Sequence, residues 1–258
     1  MKNNLIISRT PYRVSLGGGG TDLPFYSNVK GGRLITASIN QYLTVSVAHR
    51  PLDSKVLVQT TDVQFANNAE ELKHDIIKGA LNYFKISNSI QISTFTTIPT
   101  GIGLGTSSTL MVGLVKALAE KKGLCISPIE IGQIAHLVER KLLNLAGGIQ
   151  DQYISALGGI QILDIDVNGK VSAIPLFINH SKIGILEKHL LLVYTDAKRS
   201  SMKIIKSQKK DIANTIDVYD QIKAIGIESE QLLVDADIDG LGEAMDRHWV
   251  LKKTLSNE

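Results

Sequence analysis

The sequence predicts an α+β fold, and three observations carry that expectation. Short β-branched stretches and segments of helical period both occur along the chain. They are mixed without a strict strand–helix–strand alternation, which disfavours a doubly wound sheet. The 258 residues, 43% of them hydrophobic, suffice for one large core or for two domains.

From Leu5 to Gly20 the chain is apolar and strand-like, bent at Pro11 before the run Gly17-Gly18-Gly19-Gly20. Arg33 to Arg50 is rich in β-branched residues and partly alternating, which predicts two strands parted near Asn40-Gln41. Ala69 to Phe84 carries Leu72, Ile76, Ile77 and Ala80 at helical spacing, and Ile90 to Ile98 alternates as a strand stopped by Pro99. After the loop from Thr100 to Thr106, the set Leu110, Met111, Leu114, Val115 and Leu118 predicts a helix. The next helix is announced by Ser127 as N-cap, Pro128 at the first position and Glu130 as a capping-box acid. Its apolar stripe is Ile131, Ile134, Ala135, Val138 and Leu142. Strands are expected at Ile160 to Asp164, Val171 to Phe177 and His189 to Thr195, and helices at Ser200 to Ile225 and Asp237 to Leu255. No repeat, low-complexity stretch or long linker is visible, and a domain boundary is expected between Leu163 and Lys188.

Composition removes several classes of function. The net charge is +3, Lys and Arg are scattered, and the cluster Lys206 to Lys210 has the look of a solvated helix face. Tyr and Phe are few and dispersed, so no groove for nucleic acid is expected. The single Cys125 excludes an internal disulfide framework, fits a reducing compartment, and is expected to be a small apolar filler. No apolar run approaches the ~20 residues of a membrane span. Met1 to Asn4 lead directly into a strand-like run, so no signal peptide is expected and the chain is assigned to the cytoplasm. His136 and His248 have no metal partner at ligand spacing and are expected to be satisfied or exposed.

The most informative segment is Ile98-Pro99-Thr100-Gly101-Ile102-Gly103-Leu104-Gly105-Thr106-Ser107-Ser108-Thr109. It joins a predicted strand to a predicted helix, and its alternating glycines let the backbone approach a ligand closely. The first N–H groups of the following helix lack intrahelical partners and, with the helix dipole, form an anion site suited to polyphosphate. Hydroxyls at Thr106, Ser107 and Ser108 supply further hydrogen bonds or a magnesium ligand. An ordinary connection capped by Ser or Thr is the competing reading of the same residues. The spacing matches neither a Gly-Lys P-loop nor a G-x-G-x-x-G fingerprint.

Two further segments place an acid among residues of minimal bulk. Asp22 follows the glycine run in Gly17-Gly18-Gly19-Gly20-Thr21-Asp22, and Asp151 follows Gly147-Gly148-Ile149-Gln150. Taken singly, each acid is more often a turn or cap residue.

The three segments in this order resemble the GHMP kinases, with Gly103-Leu104-Gly105-Thr106-Ser107-Ser108 similar to that family's phosphate motif and Arg9-x-Pro11-x-Arg13-x-Ser15-x-Gly17-Gly18 to its N-terminal motif. The stretches Gly18 to Pro24 and Gly147 to Tyr153 are most similar to the heptose kinase branch, whose members include kinases acting on the anomeric oxygen of a heptose phosphate. The resemblance implies an N-terminal domain like ribosomal protein S5 domain 2 over residues 1–175, then a ferredoxin-like C-terminal domain over 176–258. It implies an enzyme using ATP and Mg2+ to phosphorylate a sugar hydroxyl. Its phosphates would be held by Pro99, Gly101, Gly103, Leu104, Gly105, Thr106, Ser107 and Ser108. Ser107 and Glu139 would hold magnesium, Asp151 would face the accepting hydroxyl, and Arg13 would lie near the transferred phosphate. Asp22 with Thr21, Gly19, Gly20, Gly148 and Arg199 would contact the sugar. Without the resemblance, Glu139 is a surface acid paired to Arg140 or Lys141, and Arg199 a surface charge at a helix start.

The family's third glycine-rich motif has no counterpart after Gly184, so the C-terminal domain is expected to be incomplete, with an open sheet edge and poor solubility or pairing with a second copy. Two other readings stay open: a GHMP kinase for another small alcohol, and a catalytically silent homologue that binds a sugar or nucleotide.

Overall fold

The computed structural model describes residues 5–99, 101–195, 205 and 212–255. Among them, seven strands form one mixed sheet. They are β1 (Leu5–Gly17), β2 (Gly32–His49), β3 (Val56–Gln59), β4 (Val63–Ala66), β5 (Ile90–Thr96), β6 (Ile160–Ile165) and β7 (Val171–Pro175). The helices are α1 (Pro24–Lys30), α2 (Asp75–Tyr83), α3 (Thr106–Lys121), α4 (Pro128–His136), α5 (Gln150–Leu157), α6 (His180–His189), α7 (Ile212–Asp235) and α8 (Ile238–Thr254). The expected α+β class is the one observed.

β2 organises the sheet because it is long enough to serve three neighbours. Along one edge it pairs antiparallel with β1, from Leu43–Ala48 opposite Leu5–Thr10 down to Ile35 opposite Gly17. Along the other edge, Gly32–Ala37 pairs with β6 and Leu43–His49 pairs with β5. At the changeover the ladder to β1 slips, since Pro11 faces Tyr42 but Arg13 faces Ser38. The break expected near Asn40-Gln41 is therefore a bulge within one continuous strand. Such irregularities bend a strand and re-aim the side chains beside it, and Arg13 stands at this one.

The helices cover the sheet unequally. Leu34 of β2 packs with Ile149 and Tyr153 at α5, while its neighbour Ile35 packs with Leu186, Leu233 and Leu241 from α6, α7 and the start of α8. Consecutive strand residues point to opposite faces, so this half of the sheet lies between two helical layers. In the other half, Val45, Val47, Ile90 and Ile92 meet Met111, Leu114, Val115 and Leu118 of α3. There the alternate residues Leu5, Ile7 and Phe95 are exposed on the uncovered face. At ~25 cal/mol per Å2 of apolar surface removed from water, the α3 layer is the main source of cohesion for that half.

α7 ties the second helical layer to the sheet through a charged clamp. Arg33 of β2 donates to Asp164 of β6 at 2.6 and 2.8 Å and to Glu230 of α7 at 2.5 Å. Tyr26 of α1 donates to Asp220 of α7 at 2.6 Å, and burial, reinforced by Asp220, pushes that phenol's pKa up.

Five elements were not foreseen: α1, β3, β4, α5 and α6. The strand expected over His189 to Thr195 does not form. His189 closes α6, and residues 190–195 have no strand beside them among the described residues, with Leu191 86% exposed. An apolar stretch becomes a strand only when a neighbour satisfies its N–H and C=O groups. Cys125, expected as apolar filler, is exposed. No helix of the described residues is long and apolar enough to cross a membrane. The clusters at Lys206 to Lys210 and Arg199 lie outside the described residues.

Candidate active site

The end of β1, the bulged middle of β2, the glycine loop, the start of α5 and the inner faces of α6 and α8 enclose a cleft of about 1670 Å3. One drug-sized ligand occupies roughly 300–1,000 Å3, so two can be held side by side.

The glycine loop forms one wall. Gly101, Gly103 and Gly105 all have left-handed φ values, +83°, +85° and +76°, conformations in which a side chain is strained. Gly105 is the N-cap of α3 and no side chain caps the helix, so its first N–H groups remain available at the positive end of a 16-residue dipole. Leu104 is buried in the core below and anchors the loop, while the Gly103 carbonyl accepts a hydrogen bond from Arg13 Nη1 at 2.9 Å. Arg13 thus sets both the loop and the acid opposite it.

That acid is Asp151, in the first turn of α5. Its Oδ1 accepts from Arg13 Nε and Nη2, each at 2.6 Å. A Cβ on Gly105 would stand 3.0 Å from Asp151 Oδ2. The glycine therefore lets the carboxylate lie directly against the N-terminus of α3.

Glu139 comes from the turn after α4. The expected capping box is present, with Ser127 Oγ accepting from the Glu130 N–H and Glu130 accepting from the Ser127 N–H. The helix then widens into a π-turn over Leu137–Leu142, a form frequent at functional sites. Glu139 is 1% exposed, not a surface acid. Its Oε1 accepts from Ser107 at 2.5 Å, and its Oε2 accepts from Ser108 at 2.7 Å and Gln152 at 2.6 Å. Arg140 Nη1 lies 3.3 Å from Oε1, and its Nε donates to the Gly148 carbonyl at 3.1 Å. A buried carboxylate is tolerable only when paired and hydrogen-bonded this fully.

Asp22 is buried beside them. Its Oδ2 accepts from the N–H groups of Ile149 and Gln150 at 2.9 and 3.0 Å, and its Oδ1 from Gly20 N–H at 3.1 Å. It caps α5 and fixes the height of Asp151 while also lining the cleft. A Cβ on Gly148 would fall 1.9 Å from Asp22 Oδ2, so only glycine admits this contact.

The expected site residues separate in the structure. Arg13, Asp22, Gly19, Gly20, Gly101, Gly103, Leu104, Gly105, Thr106, Ser107, Ser108, Glu139, Gly148 and Asp151 line the one cleft. Thr21 does not; it is fully buried and its hydroxyl donates to the Gly18 and Arg33 carbonyls, so it latches the turn and cannot reach a substrate. Pro99 is exposed outside the cleft and ends β5's approach to the loop. Gly19 and Gly20 have a packing reason of their own. A Cβ at 20 would meet Lys252 Nζ at 2.2 Å, and Gly19's carbonyl lies 3.2 Å from His248 Nε2. Arg199 lies outside the described residues.

Arg140, Gln152, His248 and Lys252 belong to the site and were missed. Ser15 Oγ and Gln150 Nε2, also cleft-lining, are buried with no hydrogen-bond partner among the described residues. Such atoms are rare unless a ligand or water completes them. Burial, with Lys252 nearby, pulls His248 down to about 4 against the weaker effect of the Gly19 carbonyl. No cluster of three or more His, Cys, Asp or Glu suited to a metal is present among the described residues.

Residues 75–159 match the family model "GHMP kinases N terminal domain". A D-glycero-alpha-D-manno-heptose 7-phosphate kinase of Campylobacter jejuni is 31% identical over 267 residues, covering 97% of this chain and 78% of the relative. A crystal structure of a D-glycero-D-manno-heptose 1-phosphate kinase from Bacteroides thetaiotaomicron superposes with a TM-score of 0.82 at 26% identity, covering 96% of this chain and 79% of the other. An L-fucokinase/L-fucose-1-P guanylyltransferase of Bacteroides fragilis is 24% identical over 99% of this chain, which spans 31% of that longer protein.

Proposed function

The chain belongs to the GHMP kinases, and on that premise we propose that it moves the γ-phosphoryl of ATP onto a sugar hydroxyl, the anomeric oxygen of a heptose phosphate. One observation carries this reading: Asp151 lies against the uncapped N-terminus of α3, so a proton acceptor and a phosphate cradle share one wall of the cleft. Phosphoryl transfer asks mainly for positioning and charge neutralisation, and these residues supply both.

The backbone N–H groups at the start of α3 hold the nucleotide's phosphates, and the loop glycines let them approach. Arg13 neutralises charge beside Gly103 and holds Asp151 in place. The acceptor hydroxyl bonds to Asp151; as its oxygen joins phosphorus and the bond to ADP breaks, the proton passes to that carboxylate. Ser15, Gln150 and Asp22 orient the sugar's other hydroxyls.

The donor set fits magnesium. Glu139 and Ser107 offer hard oxygens 2.5 Å apart, next to the phosphate loop, and magnesium needs few protein ligands because it keeps waters and binds substrate phosphates. When bound it would neutralise charge on the β- and γ-phosphates. The single exposed cysteine and the absence of any membrane-crossing helix among the described residues support a cytoplasmic location.

Release of ADP, measured with a panel of heptose phosphates and free sugars, tests the proposal. The wild type is expected to turn over, and Asp151→Asn to lose about 10^2- to 10^4-fold in kcat. Nucleotide binding without turnover on any sugar would favour the silent-homologue reading.

A further inference from the structure

We infer that Arg140 is a catalytic residue whose guanidinium grips the transferred phosphoryl group on its way from the phosphate loop to the hydroxyl at Asp151. The inference rests on the proposed function for the presence of a nucleoside triphosphate. Arg13, by contrast, is committed to the loop and the acid.

Arg140 follows Glu139 in the π-turn and joins the two parts of the cleft between which the phosphoryl group moves. Its Nε donates to the Gly148 carbonyl at 3.1 Å, on the turn that leads into α5 and Asp151. Its Nη2 lies 3.4 Å from Ser108 Oγ, in the first turn of α3, and its Nη1 lies 3.3 Å from Glu139 Oε1. Gly147 gives it room, since a Cβ there would stand 2.4 Å from the Arg140 Cζ. The γ-phosphoryl has to pass from the amides of α3 to the acceptor at Asp151, and Arg140 bridges the elements that carry those two groups. It lines the cleft together with Ser107, Glu139, Gly148 and Asp151.

The lengths of its contacts set Arg140 apart from the other arginines of the fold. Arg13 reaches Asp151 through Nε and Nη2 at 2.6 Å each and Gly103 through Nη1 at 2.9 Å, so all three of its nitrogens are engaged. Arg33 meets Asp164 at 2.6 and 2.8 Å. Arg140 comes no closer than 3.3 Å to Glu139, whose oxygens are taken by Ser107 at 2.5 Å, Gln152 at 2.6 Å and Ser108 at 2.7 Å. A charge-assisted bond closes to about 2.7–2.9 Å, and the outer fork of Arg140 falls short of that on both nitrogens. With 11% of its side chain exposed, it is not a solvated surface charge either. An arginine fork matches phosphate oxygens, and a cation already in place stabilises the charge that develops during transfer. As the acceptor oxygen joins the γ-phosphorus, the bond from that phosphorus to the ADP oxygen breaks and the hydroxyl proton goes to Asp151. Arg140 keeps all its protons and acts through hydrogen bonds and charge.

The magnesium complexes of ADP and of a non-hydrolysable ATP analogue are titrated calorimetrically into the protein without sugar. Wild type is expected to bind both. Arg140→Met is expected to weaken the triphosphate analogue about 10- to 100-fold and ADP less than about threefold, and Arg140→Lys to restore part of the difference. Arg13→Met is the contrast, expected to lower kcat while keeping the ratio of the two affinities. Melting curves identify a variant that fails to fold, in which case Arg140→Gln replaces Arg140→Met. In turnover, Arg140→Met is expected to lower kcat more than it raises KM for the sugar. Equal weakening of the two nucleotides means that Arg140 only balances Glu139 and overturns the inference, as does unchanged binding of both. Failure of wild type to bind either nucleotide refutes the proposed function and the inference with it, a result read before any variant is made. Selective loss of the triphosphate analogue in Arg140→Met, with no sugar turned over by wild type, supports the inference and refutes the kinase reading alone.

Discussion

A methyl group at position 148 cannot coexist with the observed Asp22, because it would stand 1.9 Å from a carboxylate oxygen. Gly148→Ala is therefore expected to expel Asp22 from the amides of α5 and to cost about 1–3 kcal/mol of stability, as overpacking does. An unchanged urea midpoint would refute that close contact. Glu139→Gln sets an amide against donors from Ser107, Ser108 and Gln152. It is expected to destabilise by about 1–3 kcal/mol and to weaken the dependence of ADP release on magnesium concentration. At this scale the sequence announced the acids that stand among glycines, Asp22 and Asp151, because close approach demands small neighbours. It could not announce Lys252 or His248, whose meeting with Gly19 and Gly20 spans more than 200 residues and follows from tertiary packing. Thr21 and Pro99 show the converse error, where lying inside a motif implied contact with ligand although burial or exposure placed each one elsewhere.

Helix α4 shows what local chemistry can and cannot specify. Its start was legible because Ser127, Pro128 and Glu130 satisfy the first N–H groups by themselves. Ser127→Ala is expected to cost about 1 kcal/mol in a denaturant titration, and no loss would mean that the cap is redundant. Its end was not legible: the π-turn that buries Glu139 depends on hydroxyls and an amide arriving from α3 and α5. The same holds for β2. Composition marked an interruption near Asn40-Gln41, but only the partners β1, β5 and β6 make it a bulge in one strand. β3 and β4, four residues each, are too short to show an alternating pattern, and α5 was hidden by the glycine motif that leads into it.

Over the whole molecule, α+β class and the gathering of the glycine loop with the acids that stand among glycines were readable, whereas the sandwiching of half the sheet by α6, α7 and α8 was not. Two imidazoles create a pH dependence, His136 at the end of α4 and His248 on α8 of that second layer. Burial, with Arg140 and Lys141, pulls His136 down to about 4, and burial with Lys252 does the same to His248. Between pH ~6.5 and ~4 the unfolded chain binds these protons and the folded one does not, so stability is present at neutral pH and declines as pH falls through that window. Thermal melts at pH 7 and pH 5 are expected to differ less in His136→Gln and His248→Gln than in wild type. An equal difference would mean that neither imidazole is held neutral by the fold.

The central claim is that the bare amides at the start of α3 hold a polyphosphate facing Asp151. A crystal structure with a non-hydrolysable ATP analogue and magnesium tests it most directly. The expected result places the terminal phosphates about 3 Å from the N–H groups of residues 105–108, with Asp151 on the side the acceptor enters. A nucleotide seated elsewhere, with the glycine loop turned from its phosphates, would contradict the account.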